Sequence, residues 1–163
     1  MIHIRRIEPH EWLTAKRVVY RVALPLFGRG QDLEEFIAYH EAKHELKDMD
    51  DIEKSYLGKG GTFLVMFDGE EMICTGAIRP FEGESCELKR LWLLPEYHGQ
   101  GLGYRMLQEL LTFARAQGYT RIQSETDAVA QSRAVDFYKR IGFREVPIPN
   151  QTPDEDILME LEL

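Results

Sequence analysis

The chain has 163 residues, 44% of them apolar and 29% charged, and a formal net charge of −8. This composition is typical of a globular protein with a buried core, and we expect one domain over residues 1–163. The acidic balance disfavours nucleic acid as a partner, because binding phosphates requires clustered Lys and Arg. No apolar run of about 18 residues and no signal-peptide pattern is found, so the sequence predicts a cytoplasmic protein that does not cross a membrane.

Two cysteines occur, Cys74 and Cys86, which are too few for a disulfide framework. Neither has a histidine nearby in the sequence that could activate it as a nucleophile. We therefore predict two buried core thiols and not a catalytic cysteine.

The first part of the chain predicts one strand followed by helices. Alternating apolar residues from Ile2 to Ile7 favour a half-buried strand. Apolar residues recur at helical spacing after Pro9, and we expect Pro25 and Gly28 to end this helix.

A second helix is expected to begin near Asp32 and to break around residues 48–51, with a short helix following as far as Leu57. From Thr62 onward the pattern changes to strands separated by two amphipathic helices, which Gly118 and Gly142 would cap. Strands are predicted at 63–67, 72–78, 86–94, 121–126, 143–146 and 157–163, and helices at 102–114 and 134–141, with a Pro-rich loop before the last strand. The order predicts one mixed α/β sheet with helices packed on it.

Three glycines at alternate positions, Gly99, Gly101 and Gly103, lie between a predicted strand and a predicted helix. Glycine allows a tight bend and a close approach between the backbone and a ligand. The first N–H groups of a helix have no internal partner and lie at the positive end of its dipole. The turn is therefore a candidate site for a phosphate group, although a purely structural turn explains the pattern as well. It matches neither the dinucleotide-binding fingerprint nor a Walker loop.

Two motifs in the second half of the chain occur together. Residues 98–103 match Gln/Arg-x-x-Gly-x-Gly/Ala after the fourth strand at both glycines, but depart from it at the first position, where His98 stands. An Ala, a Tyr four residues later and then Gly-Phe are matched by Ala134, Tyr138, Gly142 and Phe143. These motifs and the order of elements resemble the GNAT superfamily of N-acetyltransferases. The resemblance covers essentially the whole chain and implies the GNAT fold.

The resemblance implies acetyl-CoA as cosubstrate. In the family, the fourth and fifth strands splay apart and the pantetheine arm lies between them. Its implied backbone partners here are Leu91, Trp92 and Leu93, and the amide near Leu93 would polarise the thioester carbonyl. Gln131 stands where the family often has an Asn that contacts the arm, and it retains the amide group. The pyrophosphate would lie on the amides of Gly99, Gln100, Gly101, Leu102, Gly103 and Tyr104.

The resemblance also implies direct attack of a primary amine on the acetyl group. Tyr138 would protonate the departing thiolate, and a core aromatic residue is the alternative interpretation. Glu87 is the first candidate for the base that takes the proton of the amine through one or two waters, and Glu125 is the second. Solvated carboxylates at strand ends are the alternative for both, with water alone as the base.

Two other functions compete with this interpretation. Residues His40 to His44 fit H-E-x-x-H, in which two histidines on a helix bind the zinc of a peptidase. The extended motif would need Gly and His where the chain has Lys47 and Asp50, and the charged flanks predict a solvated helix, so no metal is expected. A non-catalytic CoA-binding module is the second alternative, which the presence of both Glu87 and Tyr138 disfavours.

The acceptor amine stays open: small metabolite, antibiotic, polyamine or protein. By resemblance, specificity comes from residues 22–61. The aromatic residues there are Phe27, Phe36, Tyr39 and Tyr56, and the carboxylates include Asp32, Glu34, Glu35, Asp48, Asp50 and Asp51. These carboxylates suit a cationic amine, but a solvated helix surface explains them better. Acetyl is the expected acyl group, and pairing of final strands into a homodimer is a family habit that this sequence does not require.

Overall fold

The computed structural model describes residues 1–148 and 156–163. The strands are β1 (Ile2–Arg6), β2 (Thr62–Asp68), β3 (Glu71–Pro80), β4 (Ser85–Leu93), β5 (Arg121–Asp127), β6 (Arg144–Val146) and β7 (Asp156–Glu162). The helices are α1 (Trp12–Phe27), α2 (Leu33–Ala42), the short α3 (Ile52–Ser55), α4 (Leu102–Ala116) and α5 (Ser132–Ile141). This order confirms the predicted mixed α/β fold.

The strands form one sheet of seven in the order β1-β2-β3-β4-β5-β7-β6. All neighbours are antiparallel except β4 and β5, which are parallel. The parallel pair needs a crossover, and α4 supplies it. The glycine turn at the start of α4 therefore lies directly after β4, in the middle of the sheet.

The core lies between the central strands and the helices packed on them. Helices α1 and α4 both contact β3 and β4, while α5 contacts β5. The buried stripe of α4 has the spacing expected of an amphipathic helix and consists of Leu102, Met106, Leu107, Leu110, Leu111 and Ala114. The stripe fixes the helix, and with it the glycine turn, against the sheet.

Both cysteines lie in this core, fully buried and free, as predicted. Burial raises the pKa of the Cys74 thiol and of the Cys86 thiol to about 12. Both thiols therefore stay protonated near neutral pH and do not act as nucleophiles.

Two helix ends differ from the prediction. Pro25 lies inside the last turn of α1 and does not end the helix, because a proline there removes only one helical hydrogen bond. The helix ends at Gly28, whose N–H bonds to the Leu24 carbonyl at 2.7 Å. Helix α2 ends at Ala42, before the predicted break, because His44 has a left-handed backbone with φ of +54°. Most of the predicted Pro-rich loop, residues 149–155, lies outside the described residues.

None of the helices in the described ranges is both long enough and apolar enough to span a bilayer.

Candidate active site

Strands β4 and β5 separate in the middle of the sheet. They pair only at residues 85–87 of β4 and 121–123 of β5, although both strands continue. The Leu94 N–H bonds to the Ile73 carbonyl at 3.0 Å, on the β3 side. Since successive residues of a strand direct their N–H groups to opposite edges, the amide of Leu93 faces the gap. The separation thus leaves a backbone edge open to an extended ligand.

A bulge bends β4 just before this gap. Between the pairs made by Lys89 and Trp92, β4 has two residues where β3 has one. Arg90 lies in the bulge with a left-handed φ of +55°. Its carbonyl accepts a hydrogen bond from Thr75 Oγ1 at 2.7 Å, and its guanidinium donates to both Asp48 carboxylate oxygens at 3.0 and 2.7 Å. Because a bulge bends its strand, this contact supports the separation of β4 from β5.

The glycine turn has the backbone that its sequence requires. Gly99 and Gly101 have φ of +79° and +76°, in the left-handed region that glycine enters without strain. A Cβ at either position would meet nothing within 4 Å, so the space beside the turn is open. The first hydrogen bond of α4 runs from Arg105 N–H to the Gly101 carbonyl at 3.0 Å. The N–H groups of residues 102–104 therefore have no helical partner and are available to an anion.

A cleft of about 590 Å³ extends over the gap and the turn, and we call it the glycine cleft. It brings together all the residues predicted to hold a cosubstrate except Gln100. Those that line it are Leu91, Trp92, Leu93, Gly99, Gly101, Leu102, Gly103, Tyr104 and Gln131. The side-chain oxygen of Gln131 accepts a hydrogen bond from Asp127 N–H at 3.2 Å. This leaves the two N–H donors of that side chain for a ligand.

Tyr138 lies at the glycine cleft with only 5% of its surface exposed. The rings of Phe137 and Phe143 lie 5.7 and 5.1 Å from its ring and hold it in place. Burial raises the pKa of Tyr138 to about 12, against the opposing effect of a hydrogen bond with Ser124. The hydroxyl is therefore protonated near neutral pH, the state that a proton donor requires.

His98 closes one side of the glycine cleft, with its Nε2 atom 3.2 Å from the Leu93 carbonyl oxygen. Burial, with the nearby charge of Arg133, lowers the pKa of His98. The ring is therefore neutral at pH 7. Because a carbonyl only accepts hydrogen bonds, Nε2 carries the proton and donates it.

The two predicted bases lie outside the cleft walls. Glu87 pairs with Gln123 at the last rung before the strands separate, and its carboxylate accepts a hydrogen bond from Arg79 Nε at 2.6 Å. Glu125 is exposed on β5 and pairs with Leu158. Of the two, only Glu87 is at the start of the gap.

A second cleft of about 640 Å³ lies beside the first, and we call it the aromatic cleft. Trp92 and Gln131 line both clefts, so the two meet at these residues. Of the aromatic residues singled out in the sequence, three line this cleft: Phe27, Phe36 and Tyr39. Tyr56 does not, because it is buried and its hydroxyl donates to Asp48.

None of the six carboxylates singled out with them lines the aromatic cleft. Asp32 and Asp51 accept hydrogen bonds from the first turns of α2 and α3. Three others form ion pairs: Asp48 with Arg90, Asp50 with Lys16, and Glu34 with Arg17. These contacts occupy five of the six carboxylates, and the sixth, Glu35, is exposed on α2 and does not line the cleft.

The H-E-x-x-H motif does not assemble a metal site. Its second histidine, His44, lies beyond the end of α2, so the two histidines do not share a helix face. The Glu41 carboxylate is occupied by Lys16 Nζ at 2.6 Å and the Tyr20 hydroxyl at 2.7 Å, and His40 Nδ1 contacts Glu45. Within residues 1–148 and 156–163, the only group of three potential ligands consists of the exposed Glu8 and His10 and the buried Glu11, whose carboxylate accepts hydrogen bonds from Arg5.

The cations that line the two clefts were not predicted from the sequence. Arg133 and Arg140 line the glycine cleft on the same face of α5 as Phe137. Their spacing of four and then three residues is a signal that was available in the sequence. Arg29 and Lys43 line the aromatic cleft. They come from separate segments, and no local pattern connects them.

Known proteins resemble this chain in sequence and in fold. The sequence profile of the Acetyltransferase (GNAT) family matches residues 31–143. N-acetyltransferase 8F1 of Rattus norvegicus is 32% identical over 139 residues, which cover 82% of this chain and 61% of the rat protein. The chain spans between 45% and 61% of the length of the curated relatives that it matches.

Two solved structures share the fold over nearly the whole chain. An acetyltransferase of the GNAT family from Staphylococcus aureus Mu50 has a TM-score of 0.80 at 18% identity, with 99% of each chain covered. The PaiA N-acetyltransferase of Thermoplasma acidophilum, in complex with coenzyme A, has a TM-score of 0.81 at 21% identity, covering 100% of this chain and 99% of that one.

Proposed function

The chain belongs to the GNAT family of acetyltransferases, and we propose that it acts as one N-acetyltransferase domain that transfers an acetyl group from acetyl-CoA to a primary amine. The proposal rests mainly on two features that lie side by side in one cleft. The open edge of β4 and the unpaired amides at the start of α4 both line the glycine cleft. A ligand with an extended amide arm and a pyrophosphate would satisfy both at once.

The residues present fit acetyl-CoA as cosubstrate. The backbone of Leu91 and Leu93 would pair with the pantetheine arm in the gap, whereas the backbone of Trp92 faces β3 and only its side chain lines the cleft. The side-chain amide of Gln131 would donate to the arm. The amides from Gly99 through Gln100 to Tyr104 would hold the pyrophosphate. Arg133 and Arg140 add positive charge at the same cleft. The coenzyme A complex of the Thermoplasma neighbour supports this choice.

Three groups of the chain would carry the chemistry. Acetyl-CoA supplies the acetyl group as a thioester. The Leu93 amide faces the gap and would donate to the carbonyl oxygen, where negative charge develops. The Tyr138 hydroxyl would protonate the sulfur as it leaves. Glu87, at the start of the gap, would take the proton of the amine through one or two waters.

Release of free thiol from acetyl-CoA tests the proposal. The purified chain is incubated with acetyl-CoA and a panel of amines, and thiol is measured with and without each amine, with the product identified by mass spectrometry. We expect at least one amine to release thiol well above the blank and to gain an acetyl group. Bound acetyl-CoA without release by any amine would contradict catalysis and favour a non-catalytic CoA-binding module.

A further inference from the structure

The aromatic cleft is placed to hold the acceptor. It meets the glycine cleft at Trp92 and Gln131, next to Leu93. A molecule bound in it can therefore extend one group towards the proposed acetyl site while the rest stays in the aromatic cleft. Which chemical class fits is decided by the charges and rings that line it.

Two cations of this cleft have no anionic partner. Arg90 is paired with Asp48, and Glu45, which is the only carboxylate of the described residues that lines the cleft, contacts His40. Among the described residues, neither the Arg29 guanidinium nor the Lys43 ammonium group forms an ion pair, and Lys43 Nζ donates only to the Tyr39 hydroxyl, at 2.5 Å. Within the described residues, the cleft thus has two cations without an anionic partner, Arg29 and Lys43, in a chain of net charge −8.

Most of the other residues that line the aromatic cleft are aromatic or aliphatic, with Gln31 and Gln131 as polar exceptions. Lys43 Nζ lies 4.3 Å from the centre of the Tyr39 ring, while the rings of Phe36 and His40 are tilted by 60° with their centres 4.2 Å apart. Trp92 completes the wall on the β4 side. A volume of about 640 Å³ suits a molecule of amino-acid to small-peptide size.

From these charges and rings we propose that the acceptor is a small amine that also bears a carboxylate and an apolar group, as a free aromatic or aliphatic amino acid does. The inference rests on the proposed function. The carboxylate would bind between Arg29 and Lys43, since guanidinium groups bind carboxylates through paired hydrogen bonds. The apolar group would pack on the rings, and the amine would point to Leu93. A polyamine is disfavoured, because its second ammonium group would face both cations.

Comparison of L-phenylalanine, phenethylamine and spermidine tests the proposal. Phenethylamine has the same ring and amine but lacks the carboxylate. We expect kcat/KM for phenylalanine to exceed that for phenethylamine about tenfold or more, as the loss of a charge-assisted hydrogen bond implies. Spermidine should be the poorest of the three. Equal or better turnover of phenethylamine or spermidine would overturn the proposal.

Substitution of the two cations tests whether they cause the preference for phenylalanine over phenethylamine. Arg29→Gln and Lys43→Gln should each bring the ratio for phenylalanine over phenethylamine towards one, mainly through KM. Arg17→Gln is the matched control, because Arg17 is an exposed arginine of α1 that pairs with Glu34 away from the cleft. Unchanged ratios in both cleft variants would contradict the assignment. Retained stabilisation by acetyl-CoA shows that each variant is folded.

A binding measurement separates this inference from the proposed function. Calorimetry with N-acetyl-L-phenylalanine and N-acetylphenethylamine needs no turnover. We expect the carboxylate-bearing compound to bind about tenfold more tightly, and less so in Arg29→Gln. If no amine is acetylated but this preference holds, the proposed function fails while the cleft keeps its specificity. If acetylation is seen without the preference, only the inference fails.

Discussion

The Asp48 carboxylate accepts hydrogen bonds from Arg90 Nε at 3.0 Å and Arg90 Nη2 at 2.7 Å, and another from the Tyr56 hydroxyl. This pair joins the segment after α2 to the bulge of β4, where the backbone of Arg90 is left-handed. Burial tends to raise the pKa of Asp48, but the hydrogen bonds and charge of Arg90 outweigh it and hold that pKa below its ordinary value. The ion pair therefore stabilises the bend that opens the gap between β4 and β5.

Replacing Asp48 by Asn should lower the free energy of unfolding by about 3 kcal/mol at pH 7, because it leaves the charge of Arg90 unpaired. The side chains of the pair are only 17% and 19% exposed, so solvent replaces little of the lost interaction. Urea denaturation measures the change. Glu34→Gln is the control, since its ion pair with Arg17 is exposed and should contribute less than about 1 kcal/mol.

Asp48→Asn should also change how the free energy of unfolding depends on pH. A carboxyl whose pKa is lowered by folding stabilises the protein above its unfolded pKa of about 3.9, and this contribution is lost as pH falls through the folded value. The parent should therefore lose stability more steeply than Asp48→Asn below about pH 4. Parallel stability curves for the two proteins would contradict the interpretation.

Replacing Gly101 by Ala should weaken acetyl-CoA binding about tenfold or more, because a methyl group would enter the space beside the unpaired amides. The left-handed backbone should also cost about 1–2 kcal/mol of stability. Gly118→Ala is the matched control, with φ of +90° and nothing within 4 Å of its Cβ, beyond the other end of α4. Calorimetry should show similar destabilisation in both variants but weaker binding only in Gly101→Ala. Equal affinities would place the pyrophosphate elsewhere.

Replacing Tyr138 by Phe keeps the ring and removes the proposed proton donor. We expect kcat to fall about 10²-fold, a typical loss for a proton-transfer group, with acetyl-CoA affinity unchanged. Tyr119→Phe removes a hydroxyl that donates to the Gly60 carbonyl at 2.7 Å and lines neither cleft, so it should leave kcat intact. If Tyr138→Phe retains the turnover of the parent, Tyr138 is a core aromatic residue only.

Replacing Glu87 by Gln should lower kcat at pH 7 by about 10²-fold. Turnover should recover as the pH is raised, because the amine then arrives already deprotonated. This recovery separates a base from a residue that only supports the fold through Arg79. Glu125→Gln should behave like the parent. If kcat falls in Glu125→Gln instead, Glu125 is the base. If both variants turn over at the rate of the parent, water takes the proton of the amine.

Sequence patterns predicted those helices, strands and turns whose formation depends on residues close together in the chain. The alternation of β1, the buried stripe of α4 and the glycine cap of α5 all identified their elements before any contact was known. The glycine turn was equally predictable, since the left-handed φ values of +79° and +76° at positions 99 and 101 are ones that glycine adopts without strain. These features supplied the fold and most of the glycine cleft.

Contacts between distant segments could not be predicted in the same way. The bulge at Arg90 depends on Asp48, 42 residues earlier, and nothing near either residue marks the pair. The carboxylates after α1 suited either a solvated surface, the preferred interpretation, or a cationic acceptor, but three of them form ion pairs with residues of α1 and β4. The charge of the aromatic cleft therefore could not be predicted without the contacts between these distant segments.

Thermal unfolding with and without acetyl-CoA tests the proposed acetyltransferase site most directly, with desulfo-CoA and ATP as comparison ligands. A ligand at one hundred times its dissociation constant should stabilise the folded chain by about 2.7 kcal/mol. We expect acetyl-CoA and desulfo-CoA to raise the Tm and ATP to leave it unchanged, since only the first two have the arm that fits between β4 and β5. An unchanged Tm at millimolar acetyl-CoA would contradict the proposed site and the activity built on it.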